Sequence, residues 1–144
     1  MILNTASEAV SLSKKLESDS ASFYQVFSQK YNQDGEFFLS LSRENEKNIV
    51  QIERAYYGVI SDAIEGCFAF RIEEDNYILS TELTENMSYS AALDKAVKME
   101  EKIINFYSDA AEQSKSLMAD VPRAFKIIAK KRGQRLTRLA ALIP

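Results

Sequence analysis

The stretch Leu16-Glu17-Ser18-Asp19-Ser20-Ala21-Ser22-Phe23-Tyr24 returns later in the chain as Met99-Glu100-Glu101-Lys102-Ile103-Ile104-Asn105-Phe106-Tyr107. In both copies a glutamate follows a long aliphatic residue, and a Phe-Tyr pair stands roughly two helical turns further on. The segments downstream match as well: Phe38, Leu41, Asn45, Asn48, Ile52 and Ala55 are spaced like Phe125, Ile128, Arg132, Arg135, Leu139 and Leu142. This internal repeat predicts two helical hairpins built on one plan.

The composition fits a single all-α domain. The chain has 144 residues, 46% of them hydrophobic, which is enough for one sizeable core. It has four glycines, two prolines and long stretches without helix breakers, so helices are expected. A net charge of −3 gives no general attraction to nucleic acid or to an anionic membrane. Without a leader or a long apolar run, the expected location is the cytoplasm.

Several kinds of reaction centre are excluded by residues that the sequence lacks. There is no histidine, so imidazole-based nucleophile arrangements and His-containing metal centres are ruled out. The lone Cys67 can form neither an internal disulfide nor a thiolate cage, and is expected to be a small buried residue. No glycine stands in a phosphate-binding loop motif.

Turn and cap signals divide the chain into four helices. The first helix is predicted over about residues 5–31, opened by a Thr5/Glu8 capping box, and the second over about 35–65, ended by Gly66. After a crossover at about 67–87, the third and fourth helices are predicted over about 90–117 and 121–142. The short first link makes the first two helices antiparallel neighbours, and the long crossover returns the chain for the second hairpin.

Two further features concern the crossover and the fourth helix. Within the crossover, Phe68, Phe70 and Ile72 alternate with other residues, which suggests an extended strap over apolar surface. In the fourth helix, Gly133 is either a close-packing point or a tolerated defect.

Polar residues interrupt all four apolar seams at similar heights. They are Glu17, Asn45, Asn48, Glu100, Arg132 and Arg135, with Tyr24 and Tyr107 nearby. A glutamate on each of two helices and a polar pair spaced by three on each of the other two resembles the ligand layout of ferritin-like di-iron bundles. The Glu17-to-Tyr24 pattern and the run from Leu41 to Asn48 are most similar to the rubrerythrin-related branch.

The resemblance implies six metal-ligand positions, of which only Glu17 and Glu100 keep a ligand type of the family. Both paired positions would read Glu-x-x-His in the family, but here they hold Asn45 with Asn48, and Arg132 with Arg135. Arginine has no lone pair to offer a metal and carries a fixed positive charge. The sequence thus predicts a vestigial site without metal or other cofactor, in which a buried network of Glu, Arg and Asn holds register.

The same residues allow alternatives to a metal-free network, and the chain is also expected to associate with a second copy of itself. A reduced site of Glu17, Glu100, Asn45 and Asn48 could hold one divalent cation such as Mn²⁺, Mg²⁺ or Fe²⁺, with residual oxidoreductase activity. Lys130, Lys131 and Arg138 could belong to a face that coats DNA, although the negative net charge of the chain disfavours binding to nucleic acid. Taken by itself, this basic run is more typical of a solvated helix face. A homodimer is expected, joined through the outer residues of the fourth helix or through the strap at 68–72.

Overall fold

The structure is a computed structural model that describes residues 1–59, 70–115 and 120–144. Within them the chain is an all-α bundle of four helices: α1 (Ala6–Lys30), α2 (Gly35–Val59), α3 (Tyr89–Gln113) and α4 (Asp120–Ala140). Helix α1 packs mainly on α2 and α3 mainly on α4, and the two hairpins meet chiefly through α2 and α4. The predicted fold class and its two-hairpin plan are confirmed.

The first hairpin begins and turns where its sequence signals predict. The Thr5 hydroxyl accepts a hydrogen bond from the Glu8 backbone N–H, and the Glu8 carboxylate accepts one from the Thr5 N–H, which completes the capping box. Tyr31 caps the other end of α1. The link then passes through Asp34 at φ 56°, a left-handed conformation that aspartate tolerates better than most residues.

The second hairpin departs from the predicted bounds at its ends. Helix α3 ends at Gln113, where the buried Ser114 is its C-cap and donates its hydroxyl to the Ala110 carbonyl at 2.6 Å, and the predicted end at 117 lies outside the described residues. Helix α4 ends at Ala140 rather than 142, where the Leu142 N–H bonds to the Leu139 carbonyl in a tighter turn. The predicted terminator Gly66, the end of the second helix beyond residue 59, and Cys67 lie outside the described residues.

The crossover contains a short sheet that was not predicted. Strand β2 (Ile72–Glu73) pairs antiparallel with β1 (Ile2–Leu3) at the start of the chain, and a 3₁₀ helix (Glu74–Tyr77) follows. Phe70 and Ile72 are buried while Arg71 is exposed, so the strap prediction is confirmed for residues 70–72, and Phe68 lies outside the described residues. Phe70 and Ile72 do not supply the dimer face that was expected of the strap, because their side chains already pack in the hydrophobic core of the same chain.

The core follows the predicted seams. The predicted inward positions of α2 are buried from Phe38 to Ile52, and those of α4 from Phe125 to Leu139. All the inward positions predicted for the first and third helices are buried too: Val10, Ser13, Glu17, Ser20, Tyr24, Phe27 and Tyr31 in the first, and Leu93, Ala96, Glu100, Ile103, Tyr107, Ala110 and Ser114 in the third. A β-carbon built on Gly133 would meet nothing within 4 Å, so within the bundle this glycine is a tolerated defect rather than a close-packing point. None of the helices in the described ranges has both the length and the apolarity to cross a bilayer.

Candidate functional site

The six polar seam residues meet in one buried layer of the bundle. Each is at most 1% exposed, and hydrogen bonds connect all of them: Glu17, Asn45, Asn48, Glu100, Arg132 and Arg135. Each helix contributes from its inward seam, because the spacing of three and four residues keeps these positions on one helix face. Their placement together was therefore predictable from the repeat.

Arg132 stands at the centre of the layer. Its Nη1 donates to Glu100 Oε2 at 2.6 Å, and its Nη2 donates to Glu17 Oε2. The same Nη2 also donates to Asn45 Oδ1 at 3.1 Å. One guanidinium group thereby joins the carboxylates of both hairpins, each through a charge-assisted hydrogen bond.

Arg135 links the same layer to the protein surface. Its Nη1 donates to Asn45 Oδ1 at 2.7 Å and to Glu100 Oε1 at 3.1 Å. Its Nη2 donates weakly to the Leu41 carbonyl at 3.4 Å and lies 3.3 Å from Glu44 Oε1. The Glu44 side chain is 32% exposed, so it is the outermost charge of the network. The sequence prediction missed Glu44, whose only signal is its place beside the seam residue Asn45.

Amide and hydroxyl groups occupy further positions around the carboxylates. Asn48 Nδ2 donates to Glu17 Oε1 at 2.6 Å, and the Tyr24 hydroxyl donates to Glu100 Oε1 at 2.6 Å. Asn45 Nδ2 donates to the Ser20 hydroxyl at 3.0 Å. Of the two tyrosines predicted to lie near the layer, Tyr24 thus bonds directly to one of its six residues. The hydroxyl of Tyr107 pairs instead with Ser13 at 3.0 Å, a seam serine whose role was not predicted.

The charges in the layer favour the charged forms of Glu100 and Arg132. Burial alone would raise the pKa of Glu100, but the charges of Arg132 and Arg135 outweigh it and lower that pKa. Burial also disfavours the charged form of Arg132, yet Glu100 and Glu17 hold its pKa well above the usual value. Two carboxylates and two guanidinium groups give a formal sum of zero, so the layer is electrically balanced.

Both tyrosines beside the layer are held neutral. Burial raises the pKa of Tyr24 well above its ordinary value, and the Glu100 carboxylate raises it further. Burial likewise raises the pKa of Tyr107, with Glu17 as the next cause. Both therefore serve the layer as neutral hydroxyl groups.

The donor set does not fit the two metal ions of a di-iron centre. Arginines fill one of the paired ligand positions and contact both glutamates, so the carboxylate oxygens already have cationic partners. In the described part of the chain, no three His, Cys, Asp or Glu residues are grouped as a metal site requires. Among the residues that the structure describes, three buried side-chain atoms have no hydrogen-bond partner: Asn48 Oδ1, Arg132 Nε and Arg135 Nε. Two of these are donors, and only Asn48 Oδ1 is an acceptor.

No protein-family model, curated protein or solved structure matches the chain.

Proposed function

We propose that this protein is a ferritin-like bundle related to the rubrerythrins in which arginine takes the electrostatic place of the di-iron centre. It is a non-catalytic structural or binding protein. The observation that carries the proposal is the contact of Arg132 with Glu17 and Glu100, one carboxylate from each hairpin. The positive charge that a metal would supply between these carboxylates is supplied by a side chain.

The physical reason is the cost of buried carboxylates. A carboxylate fully removed from water is expensive unless a cation and hydrogen-bond donors surround it. Arg132 and Arg135 provide these here, together with Asn48 and Tyr24. A guanidinium group cannot change its oxidation state and has no coordination position at which oxygen or peroxide could bind. The layer therefore holds the helices in register and stabilises the bundle, and it does not support oxygen or peroxide chemistry.

The proposal includes a cytoplasmic homodimer. The outer face of α4 is the better supported contact surface of the two considered, because Ile127 is 38% exposed there whereas Phe70 and Ile72 are buried. Sedimentation of the wild type and of Ile127→Glu tests this part. A homodimer through α4 predicts that the variant sediments as a monomer, and a monomeric wild type would remove the dimer from the proposal.

Metal analysis of protein purified without chelator tests the central claim. We expect no stoichiometric Fe, Mn or Mg, no change in melting temperature on adding EDTA, and no oxidation of added Fe²⁺. As a positive comparison, the variant with Glu at 45 and 132 and His at 48 and 135 restores the ligand types of the family. Stoichiometric iron in the wild type would overturn the proposal.

One observation favours a second candidate, a single divalent cation at the layer. Asn48 Oδ1 is a buried oxygen without a hydrogen-bond partner on the same amide that contacts Glu17. Carbonyl and carboxylate oxygens suit Mn²⁺ or Mg²⁺. This candidate requires about one metal ion per chain that disappears in Glu17→Ala and is reduced in Asn48→Leu.

A further inference from the structure

A groove runs between the crossover segment and the outer face of α3. Its volume is about 370 Å³, within the range of roughly 300–1,000 Å³ usual for small-molecule sites. Three lysines line it at helical spacing, Lys95, Lys98 and Lys102, and its apolar contacts are Leu79, Ala91 and Met99. None of these residues belongs to the Glu/Arg/Asn layer, so the groove is a separate feature.

The lysine charges in the groove are only partly neutralised. Lys98 lies 3.1 Å from the carboxylate of Asp94. Lys102 Nζ donates to the Ile78 carbonyl at 2.8 Å, and Lys95 Nζ donates to the Glu82 carbonyl. A backbone carbonyl orients an ammonium group but does not cancel its charge. Among the described residues no carboxylate lies within ion-pair distance of Lys95 or Lys102.

We propose that this groove binds a small amphipathic anion. The apolar body of the ligand packs on Leu79 and Met99, and its carboxylate or phosphate group lies among the three ammonium groups. Lys95 and Lys102 are already held by the crossover carbonyls, so less side-chain freedom is lost when an anion binds. The groove is also lined by the half-buried Leu79 and by Met99, a core residue that is 3% exposed, and a solvated lysine face would lack this apolar lining.

A small ligand accounts for the groove better than a nucleic acid does. Nucleic acid requires an extended basic surface, whereas the charges here are confined to one groove on a chain with a net charge of −3. The apolar lining also has no role in contacts with a phosphate backbone.

Binding of defined probes tests the ligand class. Octanoate and octyl phosphate carry the head group and the apolar body together, 1-octanol lacks the charge, and inorganic phosphate lacks the apolar body. By calorimetry and by ¹H–¹⁵N NMR, we expect one or both amphipathic anions to bind at residues 95–102, at least about fivefold tighter than the two partial probes. The stronger of the two identifies the head group as carboxylate or phosphate. Equal affinity for 1-octanol or for inorganic phosphate would overturn the proposal.

Paired charge variants separate a specific site from a general charge effect. Lys98→Gln should weaken the preferred anion by roughly fivefold and leave both lysine–carbonyl bonds of the crossover in place. Asp94→Asn should tighten it by a similar factor, a gain that a folding defect cannot produce. Lys130→Gln, an exposed change of the same charge on α4, should have no effect. Equal weakening by Lys130→Gln, or no gain in Asp94→Asn, would contradict a site in this groove.

Discussion

The two hairpins share one plan but differ in the charge that they bring to the centre. The α1/α2 hairpin contributes Glu17 with two amides, Asn45 and Asn48, and therefore one formal negative charge. The α3/α4 hairpin contributes Glu100 with Arg132 and Arg135, and therefore one formal positive charge. Each hairpin alone would bury an unbalanced charge, while the pair sums to zero.

This difference favours pairing of unlike hairpins. Two copies of the α3/α4 hairpin, packed on each other in the same way, would bury four guanidinium groups against two carboxylates. Two copies of the α1/α2 hairpin would bury two carboxylates with no cation at all. Because unpaired buried charges cost several kcal/mol each, of order 3–5 when a partner is removed, the polar layer selects the arrangement in which Arg132 contacts one glutamate from each hairpin.

Removing Arg132 should have the largest effect on this complementarity. We expect Arg132→Met to lower the free energy of unfolding by about 3–5 kcal/mol, because Glu17 and Glu100 both lose their shared partner. Arg135→Met should cost less, at about 3 kcal/mol, since Glu100 keeps Arg132 and Glu44 can turn to water. Urea unfolding measures both, with the exposed Lys130→Met on the same helix as the control.

A double-mutant cycle identifies the pairing itself. Adding Glu17→Gln or Glu100→Gln to Arg132→Met removes a carboxylate that has lost its cation, so part of the lost stability should return. Strictly additive free energies would show that Arg132 acts through packing rather than through these two carboxylates.

The two amides of the α1/α2 hairpin should differ in importance. Asn45 Oδ1 accepts from both arginines, whereas Asn48 makes one bond to Glu17 and leaves its oxygen unpaired. We expect Asn45→Leu to destabilise by about 2–3 kcal/mol and Asn48→Leu by about 1.5 kcal/mol. Unfolding in urea ranks the two. A larger loss in Asn48→Leu would place an unseen partner, such as a cation, at its free oxygen.

The repeat made much of this layer predictable. The spacing from Glu17 to Tyr24 and from Glu100 to Tyr107 fixed which helix faces turn inward, and the positions of Asn45, Asn48, Arg132 and Arg135 followed from the same register. The capping box at Thr5 and Glu8 determined where α1 begins, because both of its hydrogen bonds are local. Local patterns and helical periodicity were thus enough to predict the fold and the residues of the site.

What was missed depends on contacts between distant residues or on single hydrogen bonds. The strand Ile2–Leu3 is too short to show a period and exists because Ile72–Glu73 lies beside it. The choice of Ser13 as the partner of Tyr107, and of Glu44 as a partner of Arg135, depends on side-chain rotamers across helices. At the end of α3 the Ser114 hydroxyl donates to the Ala110 carbonyl, a side-chain choice that a sequence pattern does not reveal.

Acid should weaken the bundle through the carboxylate of the α3/α4 hairpin. The pKa of Glu100 in the folded state is below its ordinary value of 4.5, so the unfolded chain binds more protons in this range. The stabilisation is present above about pH 4.5 and is lost as the pH falls through the folded pKa, at up to about 1.4 kcal/mol per pH unit.

Urea midpoints between neutral and acidic pH should therefore fall less steeply in Glu100→Gln. Glu112→Gln is the matched control, because this exposed carboxylate has a lowered pKa but pairs only at the surface. An unchanged slope in Glu100→Gln would contradict an ionised Glu100.

The smallest expected effect concerns a position where the hairpins differ for no internal reason. Gly133 in α4 occupies the place in the repeat that the exposed Glu46 occupies in α2. A β-carbon at Gly133 would meet no atom within 4 Å, and no described glycine has a positive φ, so the backbone accepts any residue there. We expect Gly133→Ala to stabilise the protein by about 0.5–1 kcal/mol, because alanine has less backbone freedom to lose on folding. The neighbouring exposed Gln134→Ala should change the unfolding free energy by only about a few tenths of a kcal/mol. If Gly133→Ala raises the unfolding free energy of the chain but weakens its self-association, the glycine is kept for close approach of a second copy to α4 rather than for anything within the bundle.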